Sequence, residues 1–509
     1  MLAKVKSCSL IGLSVHEIEV EVDAAGGLPA WDIVGLPDTA VKESKERVRT
    51  AIKNSGFDFP PRRIVVNLAP AHIKKEGPSF DLPIALAILA ATNQIEKEKL
   101  EDTLVVGELG LDGGLRKVKG VLPISLYTSQ SNLKLIVPSE NGLEGAIGGT
   151  KTYSFNTLKE VINFLKLAEN YEPIKPPKLD EVLQEDLVLE YNLKNVKAQR
   201  EAKRALEVAA AGSHNVIMVG SPGSGKTMLA RCLPGIMPSL TFEECLEITK
   251  IYSVAGLLPG NQPVINKRPF RAPHHSASQA SIVGGGRVPG PGEVSLSYHG
   301  VLFMDELPEY NKDVLEALRQ PLEEGKVTVS RVAAQLTYPA KFILVAAMNP
   351  CPCGYYGDDI KECTCTPYQV QKYRNKVSGP LMDRIDIQLE IPRLEFSELQ
   401  SDIEEEDSLS VRKRVERARA VQLARFNYSN AFMKSQDVKK YCKLDKEGKE
   451  LLREAFNRLG LSARAHDRIL KVARTIADLE GVENISVSHL AEAIQYRALD
   501  RNIISNFAI

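Results

Sequence analysis

No uninterrupted apolar run in the 509-residue chain is long enough to span a bilayer. Nor does a long apolar stretch follow Met1-Leu2-Ala3-Lys4-Val5-Lys6, as it would in a secretory signal. The expectation is a cytoplasmic protein with no membrane partner. Net charge is missing too: Lys plus Arg and Asp plus Glu each number 65. That excludes a global field drawing in nucleic acid, so any such contact has to come from a local patch. Repeats are absent, and the one biased tract is the acidic run Glu404-Glu405-Glu406-Asp407, which reads as a solvated face or loop. Cysteine is scarce and uneven: of eight residues, four fall within 351–365. In a cytosolic chain that clustering suggests metal before disulfides.

What is present is ordinary for a soluble globular chain, with 43% hydrophobic and 26% charged residues, and the length suits about two to four domains. Residues 1–168 mix strand-like runs (Glu17–Val22, Arg63–Asn67, Thr103–Val106, Leu133–Val137) with helical patterns (Ala40–Ser55, Leu82–Ala91, Leu158–Leu167), which predicts an α+β domain. The polar segment 169–194 carries Pro173, Pro176 and Pro177 and reads as a stiff linker. In residues 195–395, strands at Asn215–Val219, Gly300–Met304, Lys326–Ser330 and Phe342–Ala347 alternate with helices, which predicts a parallel α/β sheet covered on both faces. A basic helical linker (396–444) and a small all-α domain (445–509) complete the chain.

The stretch Gly220-Ser221-Pro222-Gly223-Ser224-Gly225-Lys226-Thr227 fits G-x-x-x-x-G-K-[ST] between an apolar strand and a helix. Such a loop turns backbone N–H groups onto phosphates and sets them at a helix N-terminus, with Lys226 reaching the β- and γ-phosphates of ATP and Thr227 holding Mg²⁺. Val301-Leu302-Phe303-Met304 delivers Asp305 and Glu306 to the carboxyl edge of the sheet, Asp305 for Mg²⁺ and Glu306 for the attacking water. Asn349 ends the next core strand, and is either a γ-phosphate sensor or a turn residue before Pro350. Arg384, in Met382-Asp383-Arg384-Ile385-Asp386, either stabilises γ-phosphate charge in trans or pairs locally with Asp383 or Asp386. Arg464, opening a C-terminal helix, either folds back onto the nucleotide or lies on the surface. Cys351, Cys353, Cys363 and Cys365 form two C-x-C pairs ten residues apart, suited to structural Zn²⁺; four reduced thiols or a redox switch are the alternatives.

These stretches, together with Arg268–His275, Gly292–Gly300, Cys351–Tyr355 and Trp31–Asp38, resemble the YifB/ComM family, a magnesium-chelatase-like branch of the AAA+ ATPases, over nearly the whole chain. The resemblance implies a ring-forming homo-oligomer, a hexamer, with an N-terminal Lon-protease-like domain of the ribosomal S5 domain 2-like fold. It implies a motor that drives DNA branch migration in recombination during natural transformation. The alternative is an AAA+ protein remodeller or assembly chaperone with no DNA substrate. Ser79, in Lys75-Glu76-Gly77-Pro78-Ser79-Phe80-Asp81, takes the place of the Lon nucleophile, but the lysine position falls on Leu122, and Lys117 and Lys119 are out of step. A Ser–Lys dyad needs its lysine, so the domain reads as a non-catalytic scaffold and Ser79 as a cap or turn residue. In proteins similar to this one, a hairpin before the sensor strand points into the central pore. Val327, Val329 and Leu336 alternate with polar residues as a hairpin requires, so Arg331 and Lys326 are the candidate DNA contacts, with pairing of Arg331 to Glu323 or Glu324 as the plain alternative.

Overall fold

The structure, a computed structural model, describes residues 2–178, 183, 189–259, 262–286, 290–331, 334–395, 398 and 404–497, except for the side chains of Ser330, Arg331 and Ala334. It divides into two units, one comprising residues 1–184 and 241–266, the other 185–240 and 267–509.

The first unit is built on a seven-stranded mixed sheet. Its strands are β1 (Leu2–Ile11), β2 (Ser14–Ala25), β3 (Ala30–Val34), β4 (Arg63–Ala69), β5 (Thr103–Val105), β8 (Lys134–Pro138) and β9 (Thr152–Phe155), in the order β3-β4-β2-β1-β5-β8-β9. A separate short hairpin pairs β6 (Glu108–Leu109) with β7 (Leu115–Arg116). β1 and β2 pair antiparallel from Leu2↔Asp23 to Ile11↔Ser14, whereas β5, β8 and β9 run parallel. The helix Asp81–Ala91 is buried along its whole length, which is why its sequence is apolar all round. Ser79 lies in the 3₁₀ turn Pro78–Phe80 ahead of that helix, whose N-cap is Phe80, so it is a turn residue and not the cap. Leu122 is fully buried.

The sequence places residues 241–266 within the ATPase domain, but in the structure they pack with this first unit. Thr241 opens the helix Phe242–Ala255 with a capping box to Glu244. The Ser253 hydroxyl donates to Glu144 (2.5 Å), the Ser253 carbonyl accepts from the Gly120 N–H (3.1 Å), and Lys117 Nζ donates to the Leu258 carbonyl (3.1 Å). Glu144 also accepts the Leu122 N–H, so one buried carboxylate ties this helix to the start of Val121–Gln130.

The second unit carries a five-stranded, fully parallel sheet in the order β11-β12-β15-β10-β16. The strands are β10 (Val216–Val219), β11 (Phe270–Arg271), β12 (Val301–Met304), β15 (Ile343–Met348) and β16 (Ile387–Glu390). β12 and β15 are buried at every position, the pattern of parallel strands covered on both faces. The core runs without a break from Val216, Val301 and Val345 through Leu206, Ala209 and Leu229 to Val411, Val415, Ile469 and Ile476 of the C-terminal helices. Lys326–Ser330, expected among the strands of the parallel sheet, lies instead in a separate two-stranded ribbon, β13 (Lys326–Arg331) with β14 (Ala334–Pro339), whose alternating residues pair antiparallel from Lys326↔Pro339 to Arg331↔Ala334. Among the described residues no helix is long and apolar enough to cross a membrane.

Candidate functional site

β12, β15 and β10 are neighbours, so their carboxyl ends bring Asp305, Asn349 and the loop 220–225 together. Gly225 caps the helix Lys226–Ile236 at φ 88°, a left-handed conformation open to glycine, and so aims the helix N-terminus into the loop. Lys226 is 8% exposed, and burial lowers its pKa from the ordinary lysine value. Its ammonium donates to the carbonyls of Gly220 (2.7 Å) and Ser221 (2.9 Å), and reaches Ser224 Oγ and Asn349 Oδ1, each at 3.4 Å. Thr227 Oγ1 donates to Asp305 Oδ2 at 3.0 Å. A hydroxyl and a carboxylate side by side at a helix N-terminus are the hard-oxygen donors Mg²⁺ takes, and a buried lysine over a glycine turn suits a polyphosphate, so these residues fit both groups.

Glu306 follows in the left-handed region at φ 50°, an uncommon state for a residue with a Cβ, and its N–H donates to Asp305 Oδ1 (2.9 Å). His275 Nδ1 lies 3.4 Å from Glu306 Oε2, and the His275 ring meets Tyr310 edge-on. In the sequence His275 stands out only as the end of the stretch Arg268–His275. Its place beside Glu306 depends on a fold contact across thirty-one positions that no local spacing announces.

Arg384 and Arg464 are not brought to the phosphate loop. Arg384 is 6% exposed and pairs with Glu323, and Arg464 lies 3.6 Å from the same carboxylate. Asp383 and Asp386 do not pair with Arg384: Asp386 pairs with Arg468 and accepts the Asn215 N–H at 3.0 Å, while Asp383 meets Ser462 Oγ at 3.5 Å. These contacts pin the helix Ala463–Leu479 to the start of β16. Asn215 precedes β10, and its amide donates to the Arg384 carbonyl (3.2 Å), so both arginines belong to the amino edge of the sheet. The phosphate loop lies about 16 Å away at the other end of β10, at roughly 3.3 Å per residue. One donor of Arg384, its Nε, is buried with no partner among the described residues.

A cavity of about 520 Å³ is lined by Ala198, Gln199, Glu390, Pro392, Leu394 and Glu405, and Ile391, between two of these, donates its N–H to the Val219 carbonyl (2.7 Å) at the end of β10. Ala198 and Gln199 both have positive φ (50° and 54°), and Gln199 Nε2 donates to the Pro392 carbonyl at 3.0 Å. The sequence offered no signal for it, because two segments some two hundred positions apart form its walls.

The four cysteines converge, with all four sulfurs within 4.8 Å of one another. Cys351 and Cys353 are 3.3 Å apart, Cys351 and Cys363 3.7 Å, and Cys353 and Cys363 3.6 Å. A tetrahedron of thiolates at ~2.3 Å from Zn²⁺ has edges of about 3.8 Å, so the cluster needs little adjustment to hold one. Cys353 is drawn down to about 5, first by a backbone hydrogen bond from Tyr355, whereas Cys363 and Cys365, though each accepts a backbone hydrogen bond, are raised by burial and by the neighbouring sulfurs.

Lys326 is exposed at the base of the ribbon. The Arg331 side chain lies outside the described residues. The acids offered to it are engaged elsewhere, Glu323 by Arg384 and Arg464, and Glu324 by Gln320 (3.3 Å).

Residues 20–141 match the family described as subunit ChlI of Mg-chelatase, 192–399 that of magnesium chelatase, subunit ChlI, and 405–497 the C-terminal part of that subunit. YifB of Escherichia coli (strain K12) is 44% identical over 505 residues, covering 99% of this chain and 98% of its own. The competence protein ComM of Haemophilus influenzae is 44% identical over 509 residues, covering 98% of each. The chain belongs to the YifB/ComM family of magnesium-chelatase-like proteins. That family is of the AAA+ ATPase class, which implies ATPase activity with ATP and Mg²⁺ and suggests assembly into oligomers.

Proposed function

We propose that the protein is an ATP-hydrolysing ring motor, a hexamer, that moves branched DNA during recombination. The observation that carries the motor is the split of charge between two ends of one sheet. Lys226, Thr227, Asp305 and Asn349 gather at the carboxyl edge, while Arg384 and Arg464 gather at the amino edge. A site whose arginines lie on its far side is completed by a neighbouring copy. Lys226 would hold the β- and γ-phosphates, and Thr227 and Asp305 would hold Mg²⁺, which when bound neutralises charge on the transferring phosphoryl group. Glu306, kept by its backbone and by His275, orients the attacking water, and Asn349 reads the γ-phosphate. Arg384 of the adjacent copy completes the site in trans, and Arg464, which does not fold back onto its own loop as the sequence led one to expect, joins it there. The cavity behind Gln199 takes the base. The four cysteines hold one structural Zn²⁺, because four thiolates leave no open position for water.

DNA as the substrate is supported by the full-length similarity to a protein named for competence. The isolated ribbon β13–β14 adds to this, since its cations Lys326 and Arg331 suit phosphate contact without sequence preference. The test is ATP turnover with and without a four-way junction, read alongside strand exchange on that junction. Stimulation with branch migration supports the reading; turnover indifferent to DNA returns the protein to the remodelling class.

A further inference from the structure

The cysteine loop lies directly on the phosphate loop. Asp358, between the two C-x-C pairs, accepts the Ser221 hydroxyl on Oδ2 at 2.6 Å. Its Oδ1 accepts the N–H groups of Ile360 and Lys361, each at 3.0 Å, so one carboxylate clasps its own turn and the phosphate loop together. Gly354 faces Pro222: a Cβ there would sit 2.7 Å from Pro222 Cδ and Cγ, a distance no side chain tolerates. Asn349, two positions before Cys351, reaches Lys226.

Residues 351–365 contain no helix or strand. Their internal ties are two turns (Gly354 N–H to the Cys351 carbonyl, Asp358 N–H to the Tyr355 carbonyl), the Asp358 clasp, contacts at the sulfurs, and Lys361 over the Tyr355 ring at 4.1 Å. The nine-residue span between Cys353 and Cys363, which carries Asp358, is closed at its base by the sulfurs, with Lys361 over Tyr355 as the contact across it. A metal there supplies the cross-link that fixes the span.

We propose that a metal ion bound by Cys351, Cys353, Cys363 and Cys365 sets the shape of the phosphate loop through Asp358 and Gly354, so that metal occupancy governs affinity for nucleoside triphosphate. Asp358 is then a positioning residue for Ser221. The proposal rests on the reading of Gly220–Thr227 as the nucleotide site.

The experiment uses full-length protein, zinc-loaded and chelator-stripped, as wild type, Asp358→Ala and Cys363→Ser. Three quantities are read: metal per chain, hydrogen exchange of phosphate-loop amides without nucleotide, and affinity for a fluorescent ATP analogue. Exchange in β12 shows that the fold persists. Stripping is expected to speed phosphate-loop exchange several-fold and to weaken the analogue about five- to tenfold, the loss of about one hydrogen bond. Asp358→Ala should do the same while keeping its metal, and stripping that variant should add little. The proposal is overturned if the stripped, folded protein shows unchanged phosphate-loop exchange, if Asp358→Ala matches wild type, or if the chain takes up no metal. The exchange arm needs no nucleotide. If loaded wild type fails to bind the analogue, the nucleotide reading falls, and the coupling is still decided by exchange.

Discussion

In the proposed mechanism Glu306 is the residue on which hydrolysis turns. Its left-handed backbone and its contact with His275 hold it at the mouth of the cradle, with its N–H tied back to Asp305. Glu306→Gln should keep ATP binding and lose turnover by about 10²–10⁴-fold, the worth of a positioned base; phosphate release and analogue binding measured on the same preparation check it. A normal rate would remove Glu306 from the role. Lys226→Ala should instead lose binding itself. Lys226, Thr227, Asp305, Glu306 and Asn349 were legible in the sequence because they follow three apolar strands, β10, β12 and β15, directly or after one glycine-rich loop, and a strand announces its carboxyl end locally. His275, Asp358 and Gln199 were not, since each is brought to the site by a contact between distant segments.

At the scale of elements, Asp386 fastens the helix Ala463–Leu479 to the sheet. It accepts the Asn215 N–H and pairs with Arg468, and although burial alone would raise its carboxyl pKa, Arg468 and then His214 drive it well below the ordinary value. A depressed carboxyl stabilises the fold above the unfolded value near 4 and loses that contribution as pH falls below it. Asp386→Ala strands a buried partner, so it should cost about 3–5 kcal/mol and remove much of this acid sensitivity, read by denaturant melts at pH 7 and pH 3. Wild-type stability at pH 7 would contradict it. The ribbon β13–β14 is the second element with a test. Arg331→Ala should weaken DNA similarly on all sequences and flatten the salt dependence by about one charge per engaged subunit, measured as a binding series over salt. Unchanged binding would place Arg331 on an ordinary surface. The ribbon was legible from its alternation of Val327, Val329 and Leu336. The helix Val121–Gln130 was not, because its first five residues are all buried and leave no periodic face. Nor was the affiliation of residues 241–266, which rests on Ser253 and Glu144 meeting over more than a hundred positions.

For the whole molecule, the proposed role of the arginines at the amino edge is to act across an assembly. Arg384→Ala and Lys226→Ala should each abolish turnover, by about 10³–10⁵-fold for an arginine supplied in trans. Mixed, they should regain part of it, because one class of mixed interface keeps both groups. A fully active monomer would rule this out. The central claim, that ATP hydrolysis here moves DNA, is tested most directly by one measurement: conversion of a labelled four-way junction to its migrated products by purified wild-type protein with ATP, with Glu306→Gln as the control. The account predicts products with wild type alone, together with DNA-stimulated turnover. Robust ATP hydrolysis with an intact junction and no stimulation by DNA would contradict it.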